Sequence, residues 1–234
     1  MKIKSLSVYL LLACLFLASF PSCDNTRQEN DQLYVISDVA TYHELVKRDS
    51  ANQLVNVESL IPDIVLDIRY ATTNNFTGKK IYNSPAAFVR KPVADALIKI
   101  QQELSNESLG LKVFDAYRPY AATVQFYEVY PDTNFVAAPW KGSVHNRGCA
   151  VDVTLIDLTT KQDLEMPTPF DDFSEKAAHT YNDLPEYILS NRQILKDVMI
   201  KYGFTPYEFE WWHYDFRGWE KYDLMDISFN ELNN

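Results

Sequence analysis

The feature that most constrains this chain is a short run of small and β-branched residues with one acid in its middle. Residues 150–155 read Ala-Val-Asp-Val-Thr-Leu, and such a run predicts a buried strand. The strand period of two places Asp152 on one face and Cys149 on the opposite face. We therefore expect a rigidly held carboxylate inside the fold, with Cys149 pointing away from it as a small buried side chain rather than a metal ligand.

Two histidines and a second acid accompany Asp152. His145 lies in the glycine-containing loop before the strand, and Glu210-Trp-Trp-His213 follows near the C-terminal end. A catalytic zinc takes three nitrogen or oxygen ligands from the protein and leaves the fourth position to water. The metal lowers the pKa of that water towards about 7, and a nearby carboxylate can take its proton. We expect zinc to be held by His145, Asp152 and His213. Glu210 is the candidate general base.

The spacing of Glu210 and His213 makes a prediction about the backbone. In a straight strand, residues three apart face opposite ways. The two side chains can share one site only if a bulge or a turn lies between them. We therefore expect such an irregularity at residues 210–213.

Arg118 lies where a strand-like apolar run, residues 111–116, gives way to Pro119 and a helical pattern. A guanidinium stays charged at every working pH and can donate two hydrogen bonds to an oxyanion that forms during the reaction. The alternative is a structural arginine that pairs with Asp115 or binds a backbone carbonyl. The residues alone leave both interpretations open.

The two motifs together resemble the signature of the zinc D-Ala-D-Ala metallopeptidases. Their positions are Ser143-x-His145-x-x-Gly148-x-Ala150-x-Asp152 and Glu210-x-x-His213. Within that family the chain is most similar to the VanX-like D-alanyl-D-alanine dipeptidases. Residues 67–82, residues 115–119 and the tandem Trp211-Trp212 support this branch, and the resemblance covers roughly residues 55 to 225.

The resemblance implies the Hedgehog/D,D-peptidase fold and one zinc per chain, on the three ligands named above. It implies that Glu210 is general base and acid and that Arg118 stabilises the oxyanion. Ser143 and Asp171 match positions that contact the substrate's backbone or its amino terminus. The implied reaction is hydrolysis of D-Ala-D-Ala to two D-Ala.

Two other functions remain open. A zinc D,D-carboxypeptidase or related peptidoglycan peptidase would use the same motifs and differ only in how its pocket is closed. A metal-bearing lipoprotein could bind cell-wall fragments without cleaving them, although such a module has no use for a base at Glu210.

The order of predicted elements indicates an α+β fold. We predict strands over 63–70, 111–116 and 150–155 and around 210–213, helices over 92–104, from Pro119 and from Ser190 to Gly203, and a loop over 157–172. This order is not a clean parallel alternation, so we expect a mainly antiparallel sheet that carries the zinc site, with helices packed against it.

The N-terminal segment has the layout of a secretory signal. Lys2 and Lys4 precede an apolar run, and Ser22 precedes Cys23. We expect residues 1–22 to be removed, Cys23 to be acylated, residues 23–53 to form a lipidated polar tether, and residues 54–234 to form the dipeptidase domain. The protein would then be an exported, periplasmic lipoprotein that meets the membrane only through its lipid. The alternative is a cleaved signal without a lipid.

Charge narrows the class of partner. The 234 residues carry a formal charge of −10, and loss of the two lysines in residues 1–22, which contain no acid, makes it −12. An acidic surface disfavours nucleic acid and anionic lipid headgroups as partners. The small dipeptide substrate is what the resemblance implies. The oligomeric state is left open. His179 and His43 have no metal-ligand spacing, and we expect them to lie outside the metal site.

Overall fold

The computed structural model of the protein describes residues 33–232. The predicted signal peptide and Cys23 lie outside these residues. The strands are β1 Val35–Ile36, β2 Leu54–Asn56, β3 Val65–Leu66, β4 Phe88–Arg90, β5 Leu109–Asp115, β6 Ala150–Asp157, β7 Phe204–Pro206, β8 His213–Phe216 and β9 Leu224–Met225. The helices are α1 Val39–Arg48, α2 Lys91–Ser105, α3 Tyr120–Val129, α4 Glu186–Lys201 and α5 Phe229–Leu232.

Five strands form the central sheet, in the order β3-β5-β6-β8-β7. The β3–β5 pair is parallel and the other three pairs are antiparallel. The α+β prediction is therefore confirmed, and the sheet is mixed rather than purely antiparallel. Two small pairs lie outside it, β1 with β9 and β2 with β4.

Strand β6 lies at the centre of the sheet and is buried along nearly its whole length. Its register places Asp152 opposite His213 on β8. On the other side Asp152 lies opposite Asp115 of β5, where the register shifts after Val113. Three neighbouring strands therefore bring three polar side chains into one row, which is the basis of the site described below.

Helix α2 packs its apolar stripe into the core, as the spacing predicts. Val93, Leu97, Ile100 and Leu104 are all buried. Helix α4 differs from its prediction because it begins at Glu186, directly after Pro185. Ser190 is therefore an interior residue of α4, and the predicted helix start at that position is wrong.

The predicted strand over residues 63–70 is much shorter than expected. Only Val65–Leu66 pairs with β5, and the chain then turns through a 3-10 segment at Arg69–Ala71. The Asn75 side chain binds the carbonyls of Arg69, Thr72 and Lys79. These local bonds favour a turn over further strand pairing.

Residues 33–53 are folded, in contrast to the tether expected there. Ile36 and Tyr42 are buried, and the Tyr42 hydroxyl accepts a hydrogen bond from the Leu54 backbone N–H at 2.8 Å. Most polar residues of this segment lie on its surface, which explains why their composition resembled a linker. None of the helices in residues 33–232 is long and apolar enough to cross a bilayer.

Arg90 at the end of β4 joins distant parts of the chain. Its side chain is fully buried and donates to the backbone carbonyls of Asn52, Arg147 and Asp223. Its guanidinium also lies 5.0 Å from the centre of the Tyr222 ring. Burial lowers the pKa of Arg90, and the dipoles of the three carbonyls stabilise the positive charge of its guanidinium. The N-terminal segment, the loop before β6 and the C-terminal segment are thus held at one point.

Candidate active site

A short loop before β6 carries His145. The loop makes a 3-10 turn at His145–Arg147 and leaves it through Gly148, whose φ of 69° is left-handed. A Cβ at Gly148 would lie 2.5 Å from the Leu54 side chain, so both conformation and space require glycine there. Asn146 fixes the loop by donating to Arg118 O at 2.9 Å and accepting from Ser143 N at 2.7 Å.

The three candidate ligand atoms converge on one point. His145 Nε2 lies 3.3 Å from Asp152 Oδ1, His213 Nδ1 lies 3.0 Å from the same oxygen, and the two nitrogens are 3.1 Å apart. Ligand atoms about 2.0–2.1 Å from a tetrahedral zinc are separated from one another by about 3.3 Å. Residues 145, 152 and 213 therefore form a site of the size that such an ion requires.

Each histidine is oriented by a contact of the ring nitrogen that points away from the cluster. His145 Nδ1 lies 2.7 Å from Ala116 O, and a carbonyl only accepts, so this nitrogen carries the proton. His213 Nε2 lies 2.9 Å from Asp215 Oδ1. Both contacts direct the inner nitrogen at the site, which is the usual arrangement for metal-binding histidines.

The charges of this cluster favour a cation. Burial alone would raise the pKa of Asp152, but His145 and His213 outweigh it and lower that pKa. Burial alone would lower the pKa of His213, whereas Asp215 and Asp152 raise it well above its usual value. A metal ion must therefore displace a proton from His213, and its affinity should fall in acid.

Glu210 lies in a turn between β7 and β8, which confirms the predicted irregularity before His213. The His213 N–H contacts Glu210 O at 3.4 Å, and Glu210 Oε2 lies 3.9 Å from His213 Nδ1. Trp211 anchors the turn by donating from its backbone to Ala177 O and from its indole to Thr168. Burial raises the pKa of Glu210 to about 8, and neighbouring Asp152 adds to the rise.

Arg118 forms the structural ion pair that the sequence left open and also faces the cavity. Its Nε and Nη2 donate to Asp115 Oδ2 at 2.9 and 2.8 Å, and Nη2 lies 3.8 Å from Asp152 Oδ2. Tyr82 donates to the other Asp115 oxygen and fixes that carboxylate. Burial alone would lower the pKa of Arg118, but Asp115 outweighs it and raises the pKa. The pair therefore orients a permanent charge.

Asp171 has one oxygen with a partner and one without. Tyr70 donates to Oδ1 at 2.9 Å, while Oδ2 is buried with no partner. Burial raises the pKa of Asp171 to about 7, and its φ of 64° is left-handed. Ser143 Oγ accepts from His145 N at 3.2 Å, which leaves its hydroxyl proton available to a ligand.

All seven predicted site residues line one cavity of about 410 Å³. They are Arg118, Ser143, His145, Asp152, Asp171, Glu210 and His213. The structure thus brings together side chains from β6, β8, the loop before β6, the turn before β8 and the loop that contains Asp171.

The other candidate residues lie elsewhere. Cys149 is a free, fully buried thiol, and burial raises its pKa to about 12, so it is a core side chain. His179 lies outside the three-ligand cluster, and neither of its ring nitrogens has a partner. His43 lies on α1 beside the ring of Tyr42. Cys23 lies outside the described residues.

Comparison with known proteins agrees with this geometry. Residues 50–230 match the family model described as D-ala-D-ala dipeptidase. The chain belongs to this dipeptidase family. A D-alanyl-D-alanine dipeptidase of Escherichia coli is 32% identical over 178 residues, which cover 76% of this chain and 92% of that protein. One from Enterococcus faecalis is 31% identical over 183 residues, covering 70% and 91%. The LdcB LD-carboxypeptidase structure aligns with a TM-score of 0.40 and 21% identity, over 72% of this chain and 69% of that chain.

As a member of the D-Ala-D-Ala dipeptidase family, the protein is a peptidase and therefore a hydrolase. Peptidases of this family depend on a metal, and the cluster of two histidines and one aspartate could hold it.

The sequence analysis did not predict roles for Asp215 and Asn146. The signal for Asp215 was its position two residues after His213, on the same strand face; no local signal marks Asn146.

Proposed function

We propose that this protein is a zinc-dependent dipeptidase that hydrolyses D-Ala-D-Ala to two molecules of D-Ala. The observation that carries the proposal is a buried three-ligand cluster with an acid, Glu210, held 3.9 Å from one ligand and facing the same cavity. The substrate follows from the names of the relatives, which are D-alanyl-D-alanine dipeptidases.

Zinc is the metal that best suits the donor set. Two imidazole nitrogens and one carboxylate oxygen, all within 3.0–3.3 Å of one another, match its ligand preference and its bond lengths. When bound, the ion would supply Lewis acidity, polarising the substrate carbonyl and making water a stronger acid. Magnesium and calcium prefer oxygen ligands and fit the two histidines poorly.

Glu210 moves the proton. Its carboxylate takes a proton from the attacking water as the bond to the carbonyl carbon forms. It then delivers that proton to the nitrogen of the leaving amine as the C–N bond breaks. The turn fixed by Trp211 holds the carboxylate beside the cluster, so one residue serves both steps without moving far.

Arg118 stabilises the charge on the former carbonyl oxygen. Asp115 uses the Nε and Nη2 groups of the guanidinium and fixes its plane, while the side chain still lines the cavity. A donor fixed in advance needs no reorganisation when the oxyanion develops.

Asp171 and Ser143 position the dipeptide. The unpartnered Oδ2 of Asp171 is the group in this cavity best placed to accept the ammonium of a free amino terminus, and its burial makes an unpaired charge costly. The Ser143 hydroxyl can donate to the substrate backbone. Recognition of a free amine distinguishes a dipeptidase from a carboxypeptidase, which acts on longer chains.

We also propose that the protein is exported and anchored through acylated Cys23. The support is the pattern of residues 1–23, two lysines followed by an apolar run and a small residue before the cysteine. Metabolic labelling with a radioactive or clickable fatty acid, compared between the full chain and Cys23→Ala, tests this. Equal labelling of both proteins would contradict acylation at Cys23.

The activity is tested with the metal-loaded protein and three substrates. These are D-Ala-D-Ala, L-Ala-L-Ala and N-acetyl-D-Ala-D-Ala, with amine release followed and zinc measured on the same sample. Cleavage of the free D,D dipeptide alone, with one zinc per chain, is the expected result. Efficient cleavage of the acetylated substrate would indicate a carboxypeptidase, and metal without any cleavage would indicate a binding protein.

A further inference from the structure

A cluster of aromatic rings, here called the aromatic wall, closes one part of the cavity. Phe173 is its hub, with ring centres 5.2 Å from Phe76, 5.1 Å from Phe135 and 5.0 Å from Tyr130. The Phe173–Phe135 pair is stacked and the other two pairs are tilted or edge-on. Offset and edge-on aromatic contacts of this kind add stability beyond the area that they bury.

The wall is assembled from three separate segments. Phe76 comes from the loop after the 3-10 segment at Arg69–Ala71. Tyr130 and Phe135 come from the connection between α3 and the loop that carries His145, and Phe173 follows Asp171. Phe76, Phe135 and Phe173 all line the cavity and are only partly buried. Their rings therefore hold three loops together and at the same time present surface to a ligand.

The wall adjoins the group that would hold the substrate's amine. Asp171 is two residues from Phe173 and accepts a hydrogen bond from the Tyr70 hydroxyl. The Tyr70 ring lies edge-on to Phe76 at 6.2 Å, and Phe76 contacts Phe173. A continuous set of contacts thus runs from the carboxylate of Asp171 to the centre of the wall.

We propose that Phe173 is the residue that restricts this enzyme to substrates with an unextended amino terminus. The inference rests on the proposed function, because it assumes that the amine lies at Asp171. In that position any group added to the amino nitrogen must enter the space of the wall. Asp171 would then select for charge, and Phe173 would select against bulk.

The two kinds of selection can be separated with substituted dipeptides. N-benzyl-D-Ala-D-Ala keeps a positive charge on the nitrogen and adds bulk, whereas N-acetyl-D-Ala-D-Ala loses the charge. The metal-loaded wild-type protein should cleave the free dipeptide and discriminate against both derivatives. Phe173→Ala should raise kcat/KM for the benzyl derivative by at least about 10-fold to 200-fold, the range typical of even one methylene group that a pocket excludes or admits.

Three control variants test whether the gain comes from the space that the wall occupies. Phe135→Ala removes a second ring of the wall and should give a smaller gain of the same kind. Tyr187→Ala removes an exposed aromatic residue on α4 that does not line the cavity and should give no gain. Asp171→Asn should raise KM for the free dipeptide without any gain on the benzyl derivative, because it changes charge and not space.

The outcomes separate this inference from the proposed function. A wild-type protein that does not cleave the free dipeptide contradicts the proposed function. Thermal melting first shows whether Phe173→Ala and Phe135→Ala are folded. If the wild type is a dipeptidase and both folded variants gain no activity on the benzyl derivative, the proposed role of Phe173 is overturned. If Phe173→Ala does not fold, Phe135→Ala and the milder Phe173→Leu decide the question.

Discussion

The floor and the wall of the cavity are built in different ways. The floor consists of Asp115, Asp152 and His213 on strands β5, β6 and β8, where backbone pairing fixes each position, together with Arg118 and Glu210 in the short segments next to these strands. The wall consists of aromatic rings on three loops, held by ring contacts. Strand positions provide the precision that catalysis requires, whereas loops can change without disturbing the sheet. Chemistry and selectivity are therefore separable in this molecule.

The floor also contains electrostatic repulsion between buried acids, which the wall lacks. Asp115, Asp152 and Glu210 are buried close together, and Arg118 supplies the main fixed positive charge among them. Buried charges are costly unless they are paired. A bound cation would relieve this repulsion and so stabilise the folded state.

The largest effect is expected at Glu210. Glu210→Gln removes the base and keeps the size of the side chain, so kcat should fall by about 10²–10⁴-fold while metal content stays the same. Steady-state kinetics and metal analysis measure both. Glu208→Gln, at an exposed acid of the same turn, is the matched control. A variant with nearly normal kcat would remove Glu210 from the reaction.

Arg118→Ala should lower kcat by about 10²–10³-fold, the scale of a lost oxyanion donor, without loss of metal. Arg118→Lys keeps the charge but loses the two-nitrogen contact with Asp115, so it should recover only part of the activity. Unchanged kcat in Arg118→Ala would show that the ion pair with Asp115 is purely structural.

Asp215→Asn should weaken metal binding by about 10–100-fold, because Asp215 orients His213 from outside the cluster. Competition with a chelator measures the affinity directly. Asp197→Asn, on the surface of α4, provides a control for loss of one negative charge. Equal affinities of the two variants would mean that Asp215 does not tune the site.

The smallest effect concerns His179, which burial keeps neutral by lowering its pKa to about 4. The unfolded chain takes up this proton near pH 6.5 and the folded chain only near pH 4. Stability should therefore fall as the pH drops from about 6.5 towards 4, by roughly 1–2 kcal/mol from this group after allowance for its partial exposure.

His179→Phe should remove that part of the pH dependence. The measurement is the difference in unfolding free energy between pH 7 and pH 5, compared with wild type in the same metal state so that the metal ligands contribute equally. Identical pH dependence in both proteins would contradict the prediction.

The floor was predictable from sequence because its residues follow local rules. The run around Asp152 has strand character, and the spacing of Glu210 and His213 requires a turn. The wall was not predictable, because Phe76, Tyr130, Phe135 and Phe173 meet only through tertiary packing of distant loops. The same limit explains residues 33–53: nothing local reveals that Tyr42 binds the backbone of Leu54.

The contacts of Arg90 link assembly of the metal site to distant parts of the chain. Its three carbonyl partners lie 38, 57 and 133 residues away along the chain, so the loop that carries His145 is braced by a segment far downstream of it. Contacts of such long separation slow folding, because a long loop must close before they form. A chain cut before Asp223 should therefore lack one brace of the metal site and bind metal more weakly than a chain that contains it.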